Sequence, residues 1–190
     1  KMSTIGFDTS NYTTSVSVCE NGEVIQSRKL LKVKKGERGL RQSDALFQHV
    51  KQFSEVIKGL NVPKGITAIG VSTRPRSVEG SYMPCFMYGV SVAQMLGSVY
   101  GVPVYEFSHQ QGHIAASCWA SGRMDLMDRP HLAWHLSGGT TELLLVEPEG
   151  KNVKCTRIGG TTDISAGQLI DRTGQLLELP FPSGKHLDAL

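Results

Sequence analysis

Two histidines four residues apart, His109 and His113, stand in the run Ser108-His109-Gln110-Gln111-Gly112-His113, between an apolar segment and an alanine-rich one. On a helix that spacing puts both imidazoles on one face, where they can share a metal ion. A zinc peptidase built on such a pair places glutamate directly after the first histidine as general base. Here that position is Gln110, an amide that cannot take up a proton. The residues suit a metal clamp without peptidase chemistry. The plainer alternative is a pair of helical histidines that satisfy local hydrogen bonds.

Two further stretches suit phosphate. Asp8-Thr9-Ser10-Asn11-Tyr12-Thr13-Thr14 offers hydroxyls, backbone N–H groups and one carboxylate at a strand end, a set that fits phosphate oxygens and a hydrated divalent ion. Ser137-Gly138-Gly139-Thr140-Thr141 offers a second cradle, because glycine lets the backbone come close to an anion. Each turn alone is also compatible with ordinary turn chemistry. A strongly basic segment stands apart from both: Arg28, Lys29, Lys32, Lys34, Lys35, Arg38 and Arg41 face only Glu37, although the whole chain carries a formal net charge of just +3. Such a run is either a solvated loop or a landing strip for a polyanion. Without interleaved aromatics it would read a nucleic-acid backbone, not bases.

The elements that must position these residues follow from periodicity. Strands are expected at Thr4 to Phe7, Thr13 to Val18 and Glu23 to Leu30, with a turn at Asn21-Gly22. Leu46, Val50, Phe53 and Ile57 recur at helical spacing behind a cap at Ser43 or Asp44, and Gly59 closes that helix. A strand at Ile66 to Ser72, a helix from Met83 to Tyr100, a strand at Val102 to Phe107 and the histidine helix complete a βββαβαβα order. The pattern restarts with strands at His131 to Leu136, Glu142 to Val146 and Val153 to Ile158, then a helix from Ile164 to Leu179. Two such units, with a hydroxyl- and glycine-rich turn at the same place in each, are the plan of the actin-like ATPase (ASKHA, RNase H-like) α/β fold. The expected division is a first subdomain over 1–107, a connecting helical segment with the histidine motif over 108–130, and an incomplete second subdomain over 131–190.

With 190 residues and 39% hydrophobic content the chain can bury a core. No apolar run approaches the roughly 18 residues of a membrane span, no signal peptide is expected, and a cytoplasmic protein is the expectation. The four cysteines, Cys19, Cys85, Cys118 and Cys155, are scattered and read as reduced thiols.

Four motifs in order carry a resemblance: Gly6-Phe7-Asp8-Thr9-Ser10, His109-Gln110-Gln111-Gly112-His113, Ser137-Gly138-Gly139-Thr140-Thr141 and Asp163-Ile164-Ser165-Ala166-Gly167-Gln168-Leu169-Ile170-Asp171-Arg172. The closing Leu179-Pro180-Phe181-Pro182-Ser183-Gly184 fits too. Together they resemble the TsaD family of tRNA threonylcarbamoyladenosine transferases, long described as O-sialoglycoprotein endopeptidases or glycoproteases. The resemblance implies that His109 and His113 bind zinc or iron. It implies that Asp8, Thr9, Ser10, Ser137, Gly138, Gly139, Thr140, Asp163, Gly167 and Asp171 hold ATP or an adenylate, with magnesium as a further ion. The implied reaction is transfer of a threonylcarbamoyl group to adenosine 37 of tRNA, with no side-chain nucleophile. The family's further metal-binding aspartate lies beyond the stretch matched here.

Departures from the pattern mark a divergent paralogue. Arg74-Pro75-Arg76 replaces the family's Gly-Pro-Gly, so its two arginines either face solvent or grip an anion. Thr140 replaces a histidine or asparagine, and Gln168 replaces a glutamate. His135 stands where archaeal and eukaryotic relatives carry a tyrosine that reaches the metal, and is a candidate third ligand beside an equally open reading as a strand histidine. Two other functions compete: a non-catalytic scaffold like TsaB, whose family lacks the histidine pair, and a metalloprotease, which Gln110 argues against. tRNA is expected to bind through the segment from Arg28 to Arg41. An uncovered sheet edge and apolar helix face in the second unit are expected to pair with another copy, giving a homo-oligomer, or with the segment that completes the unit; a TsaB-like partner is a separate expectation from the resemblance.

Overall fold

The alternation Ser-Thr-Ile-Gly-Phe-Asp-Thr-Ser makes the first strand, β1 (Ser3–Ser10), and turns Ser3, Ile5, Phe7 and Thr9 to one buried face. In the computed structural model, which describes residues 2–10, 12–33 and 40–190, β1 is the centre of a five-stranded sheet. It pairs antiparallel with β2 (Thr13–Glu20), which pairs antiparallel with β3 (Glu23–Leu30). On its other side β1 runs parallel to β4 (Ile66–Arg74), and β4 runs parallel to β5 (Val104–Ser108). Parallel neighbours need long crossovers, and two helices supply them: α1 (Gln42–Lys58) and α2 (Met87–Tyr100). A third helix, α3 (His109–Ala120), follows β5 directly.

The carboxyl ends of β1, β4 and β5 therefore lie side by side, and they carry Asp8, Arg74 and Ser108. In open α/β sheets this edge is where ligands collect. Beneath it Ile5, Phe7, Val16, Val18, Ile69 and Val71 pack against Phe53 and Val56 of α1 and Ala93 of α2.

The chain forms two compact units, 1–113 and 114–190. In the second, β6 (His131–Leu136), β7 (Thr141–Glu149) and β8 (Asn152–Gly160) make an antiparallel sheet in that order, followed by α4 (Ala166–Leu176) and a short α5 (Gly184–Leu187). Leu144, Val146 and Val153 close its core with Ile114 and Cys118 of α3. The opposite face of β6 leaves Leu132, Trp134 and Leu136 exposed.

The element order expected from periodicity is found, with differences at the ends. Ser43 and Asp44 lie inside α1, whose N-cap Arg41 makes no side-chain cap; Asp44 instead adds negative charge to the first turn, where the helix dipole favours it. The helix expected from Met83 opens with a tighter 3-10 turn at Pro84–Phe86, where proline suits a first turn. Strand pairing of β5 starts after Pro103, which has no N–H to give to a ladder. The last long helix is shorter than expected, starting behind Ser165 and ending at Leu176 before a turn with Glu178 at φ 56°. All four cysteines are free, and burial pushes the thiols of Cys85 and Cys155 up to about 11. Among the described residues no helix is long and apolar enough to cross a membrane.

Helix α2 reaches the sheet through its smallest residues. A Cβ added at Gly97 would lie 2.4 Å from Val104 Cγ2 and 3.2 Å from the Val102 carbonyl oxygen. Gly97→Ala is therefore expected to lower stability by about 1–3 kcal/mol in urea unfolding, despite the better helix propensity of alanine. Gly112→Ala, where the nearest atom would be 3.9 Å away, should be neutral or mildly stabilising in the same assay.

Candidate functional site

Helix α3 begins with a reciprocal cap. The Gln111 backbone N–H donates to Ser108 Oγ at 3.2 Å, and the Ser108 N–H donates to Gln111 Oε1 at 2.8 Å. This fixes the first turn, so His109 leaves the sheet edge in a defined direction. Gln110 and Gln111 are both buried, which gives these amides a structural place rather than a position facing a ligand.

His109 is held from behind by Asp8. The carboxylate Oδ2 lies 2.8 Å from His109 Nδ1, and Asp8 Oδ1 accepts the Ser10 backbone N–H at 2.8 Å. Burial pushes the Asp8 carboxyl up, but hydrogen bonds from His109, Ser72 and Ser10, with the charge of His109, outweigh it and hold the group at about 2. Ionised, Asp8 can only accept, so His109 Nδ1 is the donor of this bond, and the neutral imidazole turns an Nε2 lone pair outward. His113 Nε2 lies 2.8 Å from His109 Nε2. This separation is shorter than two metal–imidazole bonds of about 2.0–2.1 Å, so one ion can take both nitrogens in place of the proton between them. Carboxylate behind imidazole behind metal is the usual arrangement for a ligating histidine. The Phe86 ring stands beside His109, with centroids 6.2 Å apart. The residues present fit zinc or ferrous iron. Among the described residues no three of histidine, cysteine, aspartate or glutamate form a complete ligand set.

The hairpin expected to cradle phosphate has other duties as well. Thr9 is fully buried: its hydroxyl donates to the Cys85 carbonyl at 2.9 Å and accepts the Gly89 N–H at 3.2 Å, which ties β1 to α2. Asn11 lies outside the described residues. Under the hairpin sits His49, with Nδ1 2.7 Å from Thr14 Oγ1, which also accepts from Gln52 Nε2 at 2.7 Å. His49 Nε2 is buried without a well-aligned partner. Burial lowers the His49 pKa, against the Ser10 backbone and Asp8, which raise it.

In the second unit the glycine-rich turn and α4 are built together. Ser165 caps α4, accepting the Gln168 N–H, and donates to the Gly138 carbonyl at 2.6 Å. The Ala166 N–H donates to Thr141 Oγ1 at 2.7 Å. A Cβ on Gly167 would lie 2.6 Å from Gly138 Cα and 2.6 Å from the Ser137 oxygen, so only glycine allows this approach. Ser137, Gly138 and Gly139 are exposed, and a Cβ on Gly138 or Gly139 would meet nothing within 4 Å. Thr140 is half-buried, and its carbonyl accepts the Ser137 N–H. Asp163 is exposed in the turn before α4, its N–H bonded to Thr161 Oγ1. Asp171 accepts the Ser183 N–H at 2.9 Å and lines a depression of about 510 Å³ with Arg172, Gln175 and Phe181. His135 faces inward with His131 and Ala133; its Nδ1 lies 3.7 Å from the buried Glu142, which Arg157 also approaches at 3.7 Å.

Residues 24–190 match the family profile described as "TsaD: tRNA N6-adenosine threonylcarbamoyltransferase". The chain belongs to the TsaD family. Relatives of that name in Geobacillus thermodenitrificans and Latilactobacillus sakei are 31% and 30% identical over 98% of this chain, in both cases 53% of the relative's length. The chain thus spans about half the length of the curated relatives it matches. Among solved structures, the Lmo2764 protein of Listeria monocytogenes aligns with a TM-score of 0.51 at 17% identity, covering 99% of this chain and 69% of that one. YeaZ from Pseudomonas aeruginosa aligns at 0.48 and 12% identity over 88% of this chain and 68% of its own. The fold is the actin-like α/β fold expected from the repeated βββα pattern.

Sequence reading of this TsaD-family chain missed Ser108 and Gln111, although Ser-x-x-Gln before a helix is a capping signal, and missed Ser165 as a cap. No local signal could have paired Asp8 with His109. Asp8→Asn keeps the shape but removes the charge that orients the imidazole. It should weaken zinc binding by about 10- to 100-fold in chelator competition, with unchanged far-ultraviolet circular dichroism.

Proposed function

We propose that this chain provides the metal- and adenylate-binding part of a threonylcarbamoyl transfer to an adenosine of tRNA. The observation that carries the reading is the Asp8–His109–His113 relay, in which a charged carboxylate aims one imidazole at the other across 2.8 Å. Membership of the TsaD family supports the reaction class. Zinc or ferrous iron, when bound by His109 and His113, supplies a Lewis acid and a template for a carbonyl oxygen.

The chain's own residues then divide the remaining work. Asp8 holds His109 in one tautomer. The Ser137-Gly138-Gly139 turn, open above its two glycines and backed by the start of α4, receives phosphate oxygens through backbone N–H groups. Asp163, exposed beside that turn, suits a ribose hydroxyl better than a phosphate. The basic segment, of which 34–39 lie outside the described residues, meets the tRNA backbone in the cytoplasm, and a TsaB-like partner joins the assembly. A peptidase reading is disfavoured because Gln110 is buried as well as unable to take a proton. A scaffold reading leaves the oriented histidine pair without a purpose.

Two measurements test the division. Gly138→Val fits the open space and should weaken ATP and AMP binding at least tenfold in calorimetry while zinc affinity is unchanged; equal nucleotide affinities would contradict the phosphate turn. Lys34→Glu with Lys35→Glu should weaken tRNA binding across sequences and lower the salt slope by about 2, with ATP affinity unaffected. Absence of tRNA binding by the unaltered chain at low salt would remove the substrate from the reading.

A further inference from the structure

A half-buried arginine ends the strand beside the one that leads into the histidine motif. Arg74 is the last residue of β4, and its register partner on β5 is Ser108, the residue that precedes His109. Adjacent strands are about 4.8 Å apart, so the arginine and the histidine motif leave the sheet from neighbouring points. Arg74 makes one side-chain hydrogen bond, from Nη1 to Thr73 Oγ1 at 3.1 Å, and among the described residues no carboxylate pairs with it. Asp8, the acidic group at this edge, is already engaged by His109, Ser72 and Ser10. A guanidinium has five N–H donors in a planar fork, and a partly desolvated one gains most from a planar anion that takes two of them at once.

The turn that carries Arg74 is also fixed. The Pro75 carbonyl accepts the Gln110 N–H at 3.0 Å, which pins the turn to the first turn of α3. The Arg76 N–H donates to Ser81 Oγ at 3.0 Å, and Arg76 is half-buried like Arg74. A fixed turn that carries Arg74, tied through Pro75 to the first turn of the histidine helix, suits a ligand that has a metal-binding oxygen at one end and an anion at the other.

We propose that Arg74 is an anion subsite of the metal centre, and that it takes the carboxylate of an N-acyl amino acid. The inference rests on the transferase reading above. There the phosphate goes to the Ser137-Gly138-Gly139 turn, and the group named in the relatives' reaction, threonylcarbamoyl, brings a free carboxylate of its own. The carboxylate forms two parallel hydrogen bonds to the guanidinium, which places the carbamoyl oxygen on the side of His109 and His113.

Binding of N-carbamoyl-L-threonine and of its methyl ester to the zinc-loaded chain tests this, with zinc affinity measured separately. The unaltered protein should bind the acid at least tenfold more tightly than the ester. Arg74→Gln should abolish that difference and leave zinc and AMP affinities unchanged, and Arg74→Lys should restore part of it. If the acid-to-ester ratio survives in Arg74→Gln, the carboxylate binds elsewhere and the proposal is wrong. If Arg74→Gln weakens AMP and inorganic phosphate instead, the subsite takes phosphate and the carboxylate assignment is overturned. Retained zinc with no binding of acid or ester by the unaltered chain overturns the subsite but not the metal reading. Failure to bind zinc at all overturns both.

Discussion

The hydrogen bond between Asp8 and His109 joins two residues 101 positions apart, and the first unit is organised around it. Its carboxylate end is fixed because β1 lies at the centre of the sheet, with an antiparallel neighbour on one side and a parallel one on the other. Its imidazole end is fixed because Ser108 and Gln111 lock the first turn of α3 where β5 ends. Neither end would hold without the crossover helices, whose apolar faces cover the Ile5, Phe7, Val16, Val18, Ile69 and Val71 side of the sheet. The carboxylate stays charged because its hydrogen bonds outweigh desolvation. That charge sets the tautomer on which the histidine pair depends.

The second unit reaches its site by a different device. There the constraint is steric: the backbone of the glycine-rich turn and the start of α4 approach until only glycine fits at position 167, and Ser165 and Thr141 stitch the two together. The turn's exposed glycines stay open because the groups that hold it lie underneath. One unit therefore presents a charge-oriented histidine pair and the other an open glycine-rich backbone turn.

Much of this was legible in the sequence because it is written in local spacing. The repeated βββα pattern, the His-x-x-x-His face and the Ser-Gly-Gly-Thr-Thr turn each depend on residues a few positions apart, and each appears where periodicity put it. What escaped were long-range hydrogen bonds. Asp8 read as a phosphate or magnesium residue, yet it orients His109; Thr9 read as a hydroxyl facing ligand, yet it is buried against Cys85 and Gly89. Both lie on one strand with alternating faces, and only the register of β1 against its neighbours decides which face meets the core. The facing of His135, open in the sequence between a ligand and an ordinary strand histidine, depends on register for the same reason. Its pairing with Glu142 across β6 and β7 resolves it. The basic segment remains legible only as charge.

The proposed metal site depends on Asp8 setting the His109 tautomer so that His109 and His113 offer Nε2 to one ion. Long-range proton–nitrogen NMR of the imidazoles, with and without one equivalent of zinc, tests it most directly. Before zinc is added, neutral His109 should be the Nδ1–H tautomer. With zinc, the Nε2 resonances of both His109 and His113 should move together to the metal-bound range at one-to-one stoichiometry. An Nε2–H tautomer for His109 in the metal-free protein, or a zinc response confined to other histidines, would contradict it.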